Sequence, residues 1–288
     1  MNEAMIISNN TLAKEFKNLI QLIAEKYQPY QIILFAEKTK WEQAESCFQR
    51  TDFVQRFDCC LLIITQNTRR SLHDCQEFCN LHFEFGDIIT LCHGKQAVQD
   101  AVFSYNSFFT TVLKTGKVLY SMDGAPISDI SIPDQLPRDV ENTEIQFEKR
   151  YALANAFLSG AETCLNNEQY AICTFLLHQV VEQCCIAMIT LFMQYRSDIH
   201  HLHRLLKLCR CFSDDPYDHY LASGAERKKL FDILTRSYSR ARYSETFSVK
   251  KEDAINLYKL GLDFTALTKK LCKKKLEALT TEFTIVEC

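Results

Sequence analysis

Three groups of residues in this sequence have the types and spacing that chemistry needs. Arg236, Arg240 and Arg242, with Tyr238 and Tyr243 among them, set guanidinium forks at helical spacing beside aromatic faces, an arrangement that holds a phosphate or stacks a base. The competing role for Arg242 is conformational, a hydrogen bond to carbonyls or carboxylates at the end of its helix. In the run HDCQEFCNLH, Cys75, Cys79 and His82 share one helical face at i, i+4 and i+7, with His73 just before them, as zinc ligands would. Their spacing matches no common zinc finger, and that face is the one a helix here must pack on a sheet, so packing is the expected role and no metal site is assigned. Lys269, Lys270, Lys273, Lys274 and Lys275 form a basic run late in the last helix, where cations complement the helix dipole and a solvated helix end accounts for them.

The elements that would position these residues follow from hydrophobic periodicity. Leu12, Phe16, Leu19, Ile20 and Ile23 recur at helical spacing between Asn10 and Tyr27. Short apolar runs over Gln31–Phe35, Phe57–Thr65 and Asp87–Cys92 read as buried strands. Helices are expected over Ser71–Leu81 and Gln96–Thr115, followed by the segment Gly116–Tyr120. Between Ser121 and Asn142 stand Pro126, Pro133, Pro137 and Gly124 among polar residues, the strongest linker signal in the chain. Beyond it the pattern is helical over Thr143–Leu165, Asn167–Tyr195, Asp198–Phe212, Ser223–Arg240 and Lys251–Leu279, and short loops between such helices imply an antiparallel bundle. The second of these is apolar at Ile172, Phe175, Leu176, Val180, Cys184, Ala187, Met188 and Leu191, which makes it the central helix.

Composition narrows the classes of function. A net charge of -3 gives no overall basic excess to attract nucleic acid, so any RNA contact must come from a local patch. The first residues turn polar and amphipathic at once, so no signal peptide is expected, and the 14 cysteines then read as thiols of a reducing cytoplasm. No uninterrupted apolar run is long enough to suggest a membrane span, and no membrane partner is expected.

The order helix, strand, long loop, then a strand with an acid near its start resembles the nucleotidyltransferase fold of the minimal and kanamycin nucleotidyltransferase type. Active members carry Gly-Ser after the first strand, to admit a triphosphate, and Asp-x-Asp/Glu on the next, to hold metal ions. Here the first strand runs into Phe35-Ala36-Glu37-Lys38-Thr39, and the second reads Phe57-Asp58-Cys59-Cys60. Asp58 keeps the first carboxylate position, Cys60 takes the second, and a further carboxylate would have to come from Glu84 or Asp87. A neutral thiol is a poor ligand for Mg²⁺. The resemblance therefore implies a degenerate domain, with a nucleotide and Mg²⁺ as the ligand to test at Asp58 and no other cofactor. The plainer role for Asp58 is to cap a loop.

The second half resembles HEPN domains. Tyr151–Glu162 and Tyr170–Glu182 are similar to the first two HEPN helices, with Glu182 at the family's acidic position. His201-Leu202-His203-Arg204-Leu205 is similar to the His-x-Leu stretch of the third, and Tyr238-Ser239-Arg240-Ala241-Arg242-Tyr243 to the Ala-Arg-Tyr signature after the fourth; Gly116–Tyr120 resembles the ending of fused nucleotidyltransferase-like domains. HEPN ribonucleases pair an Arg with a His a few residues on, working by acid–base chemistry across a dimer. Arg196 and His201 fit that spacing but stand at the start of the third helix, and no histidine follows His219. The fold class expected is α+β: a small mixed-sheet nucleotidyltransferase-like domain over residues 1–120, a linker over 121–142, and an all-α HEPN-type bundle over 143–288. The function implied is a nucleotide- or RNA-associated protein, homodimeric through the bundle, whose nucleotidyltransferase-like domain is not catalytic. A HEPN ribonuclease and an interaction scaffold are the alternatives.

Overall fold

The apolar stripe from Leu12 to Ile23 buries one side of α1 (Asn9–Tyr27) against a four-stranded mixed sheet in the computed structural model. The structure describes residues 9–46, 49–66, 72–122, 124, 140–221, 224–244 and 246–286. The chain divides into two units, Met1–Pro137 and Arg138–Cys288.

In the first unit the sheet order is β3-β2-β1-β4, made by β1 (Gln31–Ser46), β2 (Gln49–Thr65), β3 (Ile88–Gly94) and β4 (Lys117–Ser121). β1 pairs antiparallel with β2 and β4, and β2 pairs parallel with β3. Alternation along β2 sends Phe57, Cys59, Leu61 and Ile63 into a core shared with α1 and with α2 (Leu72–His82). The opposite side meets α3 (Lys95–Phe103) and α4 (Ser107–Thr115), with Phe108 edge-on to Phe35 at 5.5 Å and Phe109 edge-on to His93 at 5.0 Å. The outer edge of β3 is closed by the buried Gln76 of α2, whose amide donates to the Ile88 carbonyl (2.6 Å) and accepts from the Thr90 N–H (3.0 Å).

Two differences from the sequence reading concern polar stretches. The expected long loop after Phe35 is a ribbon: β1 and β2 stay paired from Ala36↔Cys60 to Ser46↔Gln49, and from Lys38↔Asp58 onward they run beyond the paired residues of β3 and β4. Backbone pairing sustains such a ribbon without an apolar face, so hydrophobic alternation does not reveal it. The expected single helix over Gln96–Thr115 is two helices, because Tyr105 adopts φ 59° and the Asn106 side chain caps α4 by accepting from the Phe109 N–H at 3.2 Å.

In the second unit α5 (Val140–Asn166) and α6 (Tyr170–Met193) pack along each other, and α6 also meets α7 (Leu202–Cys209), α9 (Ala225–Tyr243) and α10 (Lys251–Val286). By length and composition α6 is apolar enough to cross a membrane, which the sequence reading did not anticipate; most of its apolar residues are buried among the other helices, while Ile172, near its start, is exposed. The short α8 (Asp215–Leu221), also unanticipated, buries Pro216 and Tyr220. Most of the expected linker lies outside the described residues, while its ends belong to β4 (Ser121) and α5 (Val140–Asn142).

Gly86 fixes how the chain enters β3. A Cβ there would lie 1.9 Å from the Phe57 carbonyl oxygen, backbone against backbone, beside the hydrogen bond from the Phe57 N–H to the Phe85 carbonyl (2.9 Å). Gly86→Ala is expected to cost about 2 kcal/mol of stability through this overpacking, read from urea denaturation midpoints at unchanged slope.

Candidate functional site

The parallel register Cys59↔Ile88 sets the preceding residues, Asp58 and Asp87, side by side. Asp58 Oδ1 accepts from the Asp87 backbone N–H at 3.0 Å and from Arg56 Nε at 3.4 Å, while Arg56 Nη2 donates to Asp87 Oδ2 at 2.5 Å. Burial opposes the Arg56 charge, but its hydrogen bond to Asp87 and the charges of Asp87 and Asp58 outweigh this and raise its pKa above the ordinary value. Glu84 is exposed and takes no part in these contacts. Cys60, at the second carboxylate position, is buried. Two carboxylates bridged by one guanidinium, with a buried thiol two residues beyond Asp58, do not fit a pair of Mg²⁺ ions. The Arg56 bridge was not foreseen, because it depends on the β2–β3 register.

In α2, Cys75 and Cys79 are buried in the sheet core and hydrogen-bond to each other. His82 turns away, stacked on Phe78 at 4.0 Å and bonded through Nδ1 to the Phe78 carbonyl at 2.8 Å. The His73 side chain lies outside the described residues, and no group of three or more metal-ligating side chains occurs among those described.

The second unit gathers a different set. On α6, His178, Gln179 and Glu182 occupy one turn, and Glu182 is buried to 4% side-chain exposure. His200, in the segment before α7, brings Nδ1 to 3.0 Å from Glu182 Oε1. His178 is as deeply buried as Glu182 and accepts at Nδ1 from Gln179 Nε2 at 3.2 Å. Burial, with repulsion from the direction of His201, Arg242 and His200, lowers the His178 pKa to about 3, so the ring is neutral at pH 7. Tyr238 of α9 stacks on His178 with ring centroids 4.8 Å apart and lies parallel to His200 at 6.4 Å. One turn on, Arg242 sits over the Tyr238 ring at 4.4 Å and the Tyr243 ring at 5.1 Å, and its Nε donates to the Tyr238 carbonyl at 2.7 Å. The guanidinium is thus anchored through Nε on a residue that is exposed as a whole.

Residues 147–271 match the HEPN domain family. The second unit contains a HEPN domain. The nucleotidyltransferase-like protein from Exiguobacterium sibiricum 255-15 is similar over 93% of this chain and 80% of its own, with 14% identity and a TM-score of 0.29. No curated protein sequence matches this chain.

The HEPN domain divides the arginine and tyrosine cluster of α9 between two directions. Tyr238 and Arg242 meet α6 and His200. Arg236 and Arg240 stay exposed on the helix surface, Arg236 donating to the Asp232 carbonyl at 3.0 Å, and Tyr243 is 80% exposed. Arg196 and His201 are both exposed, and no hydrogen bond or ion pair joins them among the described residues; the ring nearest His201 is that of His203, 6.4 Å away. It is His200, unmarked by the sequence reading, that reaches the buried acid. Its signal was present in part, since the apolar run of α6 is broken by His178 and Glu182 at i and i+4, and a buried acid requires a donor from elsewhere.

His178 makes the bundle sensitive to acid. Unfolded, it titrates near 6.5 and folded near 3, so between these values the unfolded state holds more protons and stability falls as pH drops. This residue alone is expected to remove roughly 2 kcal/mol between pH 7 and pH 5. His178→Phe, which preserves the stack on Tyr238, should flatten the profile across that interval, as measured by urea denaturation at each pH.

Proposed function

We propose that this protein binds RNA or nucleotides through the Tyr238–Arg242 surface of its HEPN domain, and that its nucleotidyltransferase-like unit is not catalytic. The observation that carries the first part is the guanidinium of the exposed residue Arg242 lying over Tyr238, whose ring lies parallel to His200, beside the exposed Tyr243. An aromatic face beside a cation stacks a base and meets its phosphate, which suits single strands without sequence preference. The exposed Arg236 and Arg240 on the same helix extend positive charge along it. The second part is supported by Cys60 in place of a carboxylate and by Arg56 bridging Asp58 and Asp87. A homodimer through the helical bundle belongs to this reading and is checked by light scattering.

Fluorescence anisotropy with a labelled oligoribonucleotide tests the binding surface. Tyr238→Ala and Arg242→Ala are each expected to weaken binding about tenfold or more, in keeping with about 1–3 kcal/mol per stacked base, while Asp58→Ala leaves it unchanged. Equal affinity in all four proteins would refute the RNA surface, and absence of binding in the wild type would leave a protein-interaction scaffold as the reading. A thermal-shift series of nucleoside mono-, di- and triphosphates with Mg²⁺ examines the first unit. Any shift there is expected to survive Asp58→Ala; a shift lost in that variant would overturn the non-catalytic assignment.

A further inference from the structure

Apart from the Tyr238–Arg242 surface, the second unit holds a polar cleft of about 370 Å³ between the first half of α5 and the end of α6. That volume is in the range of sites that take small molecules, roughly 300–1,000 Å³. The lining comes from Asn142, Thr143, Gln146 and Arg150 of α5, and from Thr190, Gln194 and Arg196 at and beyond the end of α6. Among the described residues, two guanidiniums, two hydroxyls and three amides face the space, and no carboxylate does.

The arginines are set differently. Arg150 is half-buried and held by Gln183 of α6, whose Oε1 accepts from Arg150 Nη1 at 2.8 Å and which is itself 6% exposed. Its partner is a neutral amide, so the cation is oriented and not neutralised. Arg196 is exposed and has no ion pair or hydrogen bond among the described residues. It follows Gln194, which closes α6 in the left-handed conformation at φ 52° and turns the chain back along the cleft. A polar cleft with two uncompensated guanidiniums, in a protein whose net charge is -3, selects for an anion. Hydroxyls and amides beside the forks supply donors to the remaining oxygens of a tetrahedral oxyanion.

The geometry points to a binding site for a terminal phosphate group in this cleft, with Arg150 as the fixed fork and Arg196 as the mobile one. The phosphate belongs either to a free mononucleotide or to the 5′ end of an RNA strand, and the chemistry of recognition is the same for both. This site is separate from the Tyr238–Arg242 surface, and neither requires the other.

Isothermal titration of the full chain with AMP, inorganic pyrophosphate, and one oligoribonucleotide carrying either a 5′-phosphate or a 5′-hydroxyl provides the test. At least one phosphate-terminated probe is expected to bind. Arg196→Gln, at an exposed position that does not endanger folding, should weaken that probe about tenfold or more. Arg150→Lys should weaken it too, since a point charge replaces a fork. Arg242→Ala should leave AMP and pyrophosphate binding unchanged, which keeps this site distinct from the proposed RNA surface. Binding of AMP identifies a free nucleotide as the source, and a preference for the 5′-phosphorylated strand with no binding of AMP identifies an RNA end. Binding of every probe at wild-type strength by Arg196→Gln, or of none by the wild type, overturns the site.

Discussion

A carboxylate on a helix surrounded by other helices must be met by donors, and in this protein that requirement organises the second unit. α6 is apolar along nearly its whole length except at His178, Gln179, Glu182 and Gln183. Each of these groups recruits its partner from elsewhere in the bundle or from its own turn. Glu182 takes His200 from the segment before α7, Gln183 takes Arg150 from α5, and Gln179 satisfies His178, on which Tyr238 of α9 then stacks. Leaving any of these buried groups unpaired would cost on the order of 1–3 kcal/mol, so the polar turn acts as a register mark among helices that would otherwise slide on apolar surface.

The same turn explains why functional residues lie on both of its sides. Gln179 and Glu182 direct His200, Tyr238 and Arg242 to one face, and Gln183 directs Arg150 to another. The segment from Gln194 to His201 spans the two, with Arg196 lining the cleft and His200 on the buried acid. Serving as a core helix and carrying polar anchors are compatible because the anchors are confined to about one turn, leaving the remaining faces to pack.

In the first unit a cation stands among the acids. A nucleotidyl-transfer site needs carboxylates free to hold hard cations, and here the acid beside Asp58 is Asp87, with Arg56 bonded to both. Gly86 makes this arrangement feasible by letting the backbone approach Phe57 closely enough for the Asp87 N–H to reach Asp58. The cluster is a hydrogen-bonded join between two strands.

Periodicity within the sequence determined the succession of elements: a helix, a small sheet with its helices, then a helical bundle around one apolar helix. It also showed Ala36-Glu37 after the first strand and Cys60 two residues beyond Asp58, since residue identity alone decides those. It located the α9 cluster, because arginines and tyrosines at helical spacing declare their helix. Tertiary structure decided the partners. Arg56 meets Asp87 only through the parallel register of β2 and β3, and the Lys38↔Asp58 ladder extends a ribbon through residues that read as a loop because backbone pairing leaves little apolar signature. His200 rather than His201 reaches Glu182, and Arg150 joins Arg196 across a cleft, because the end of α6 turns through a left-handed residue. Local patterns repeat every two to four residues and are written in the chain, whereas a contact between residues 18 or 33 positions apart depends on how whole elements pack.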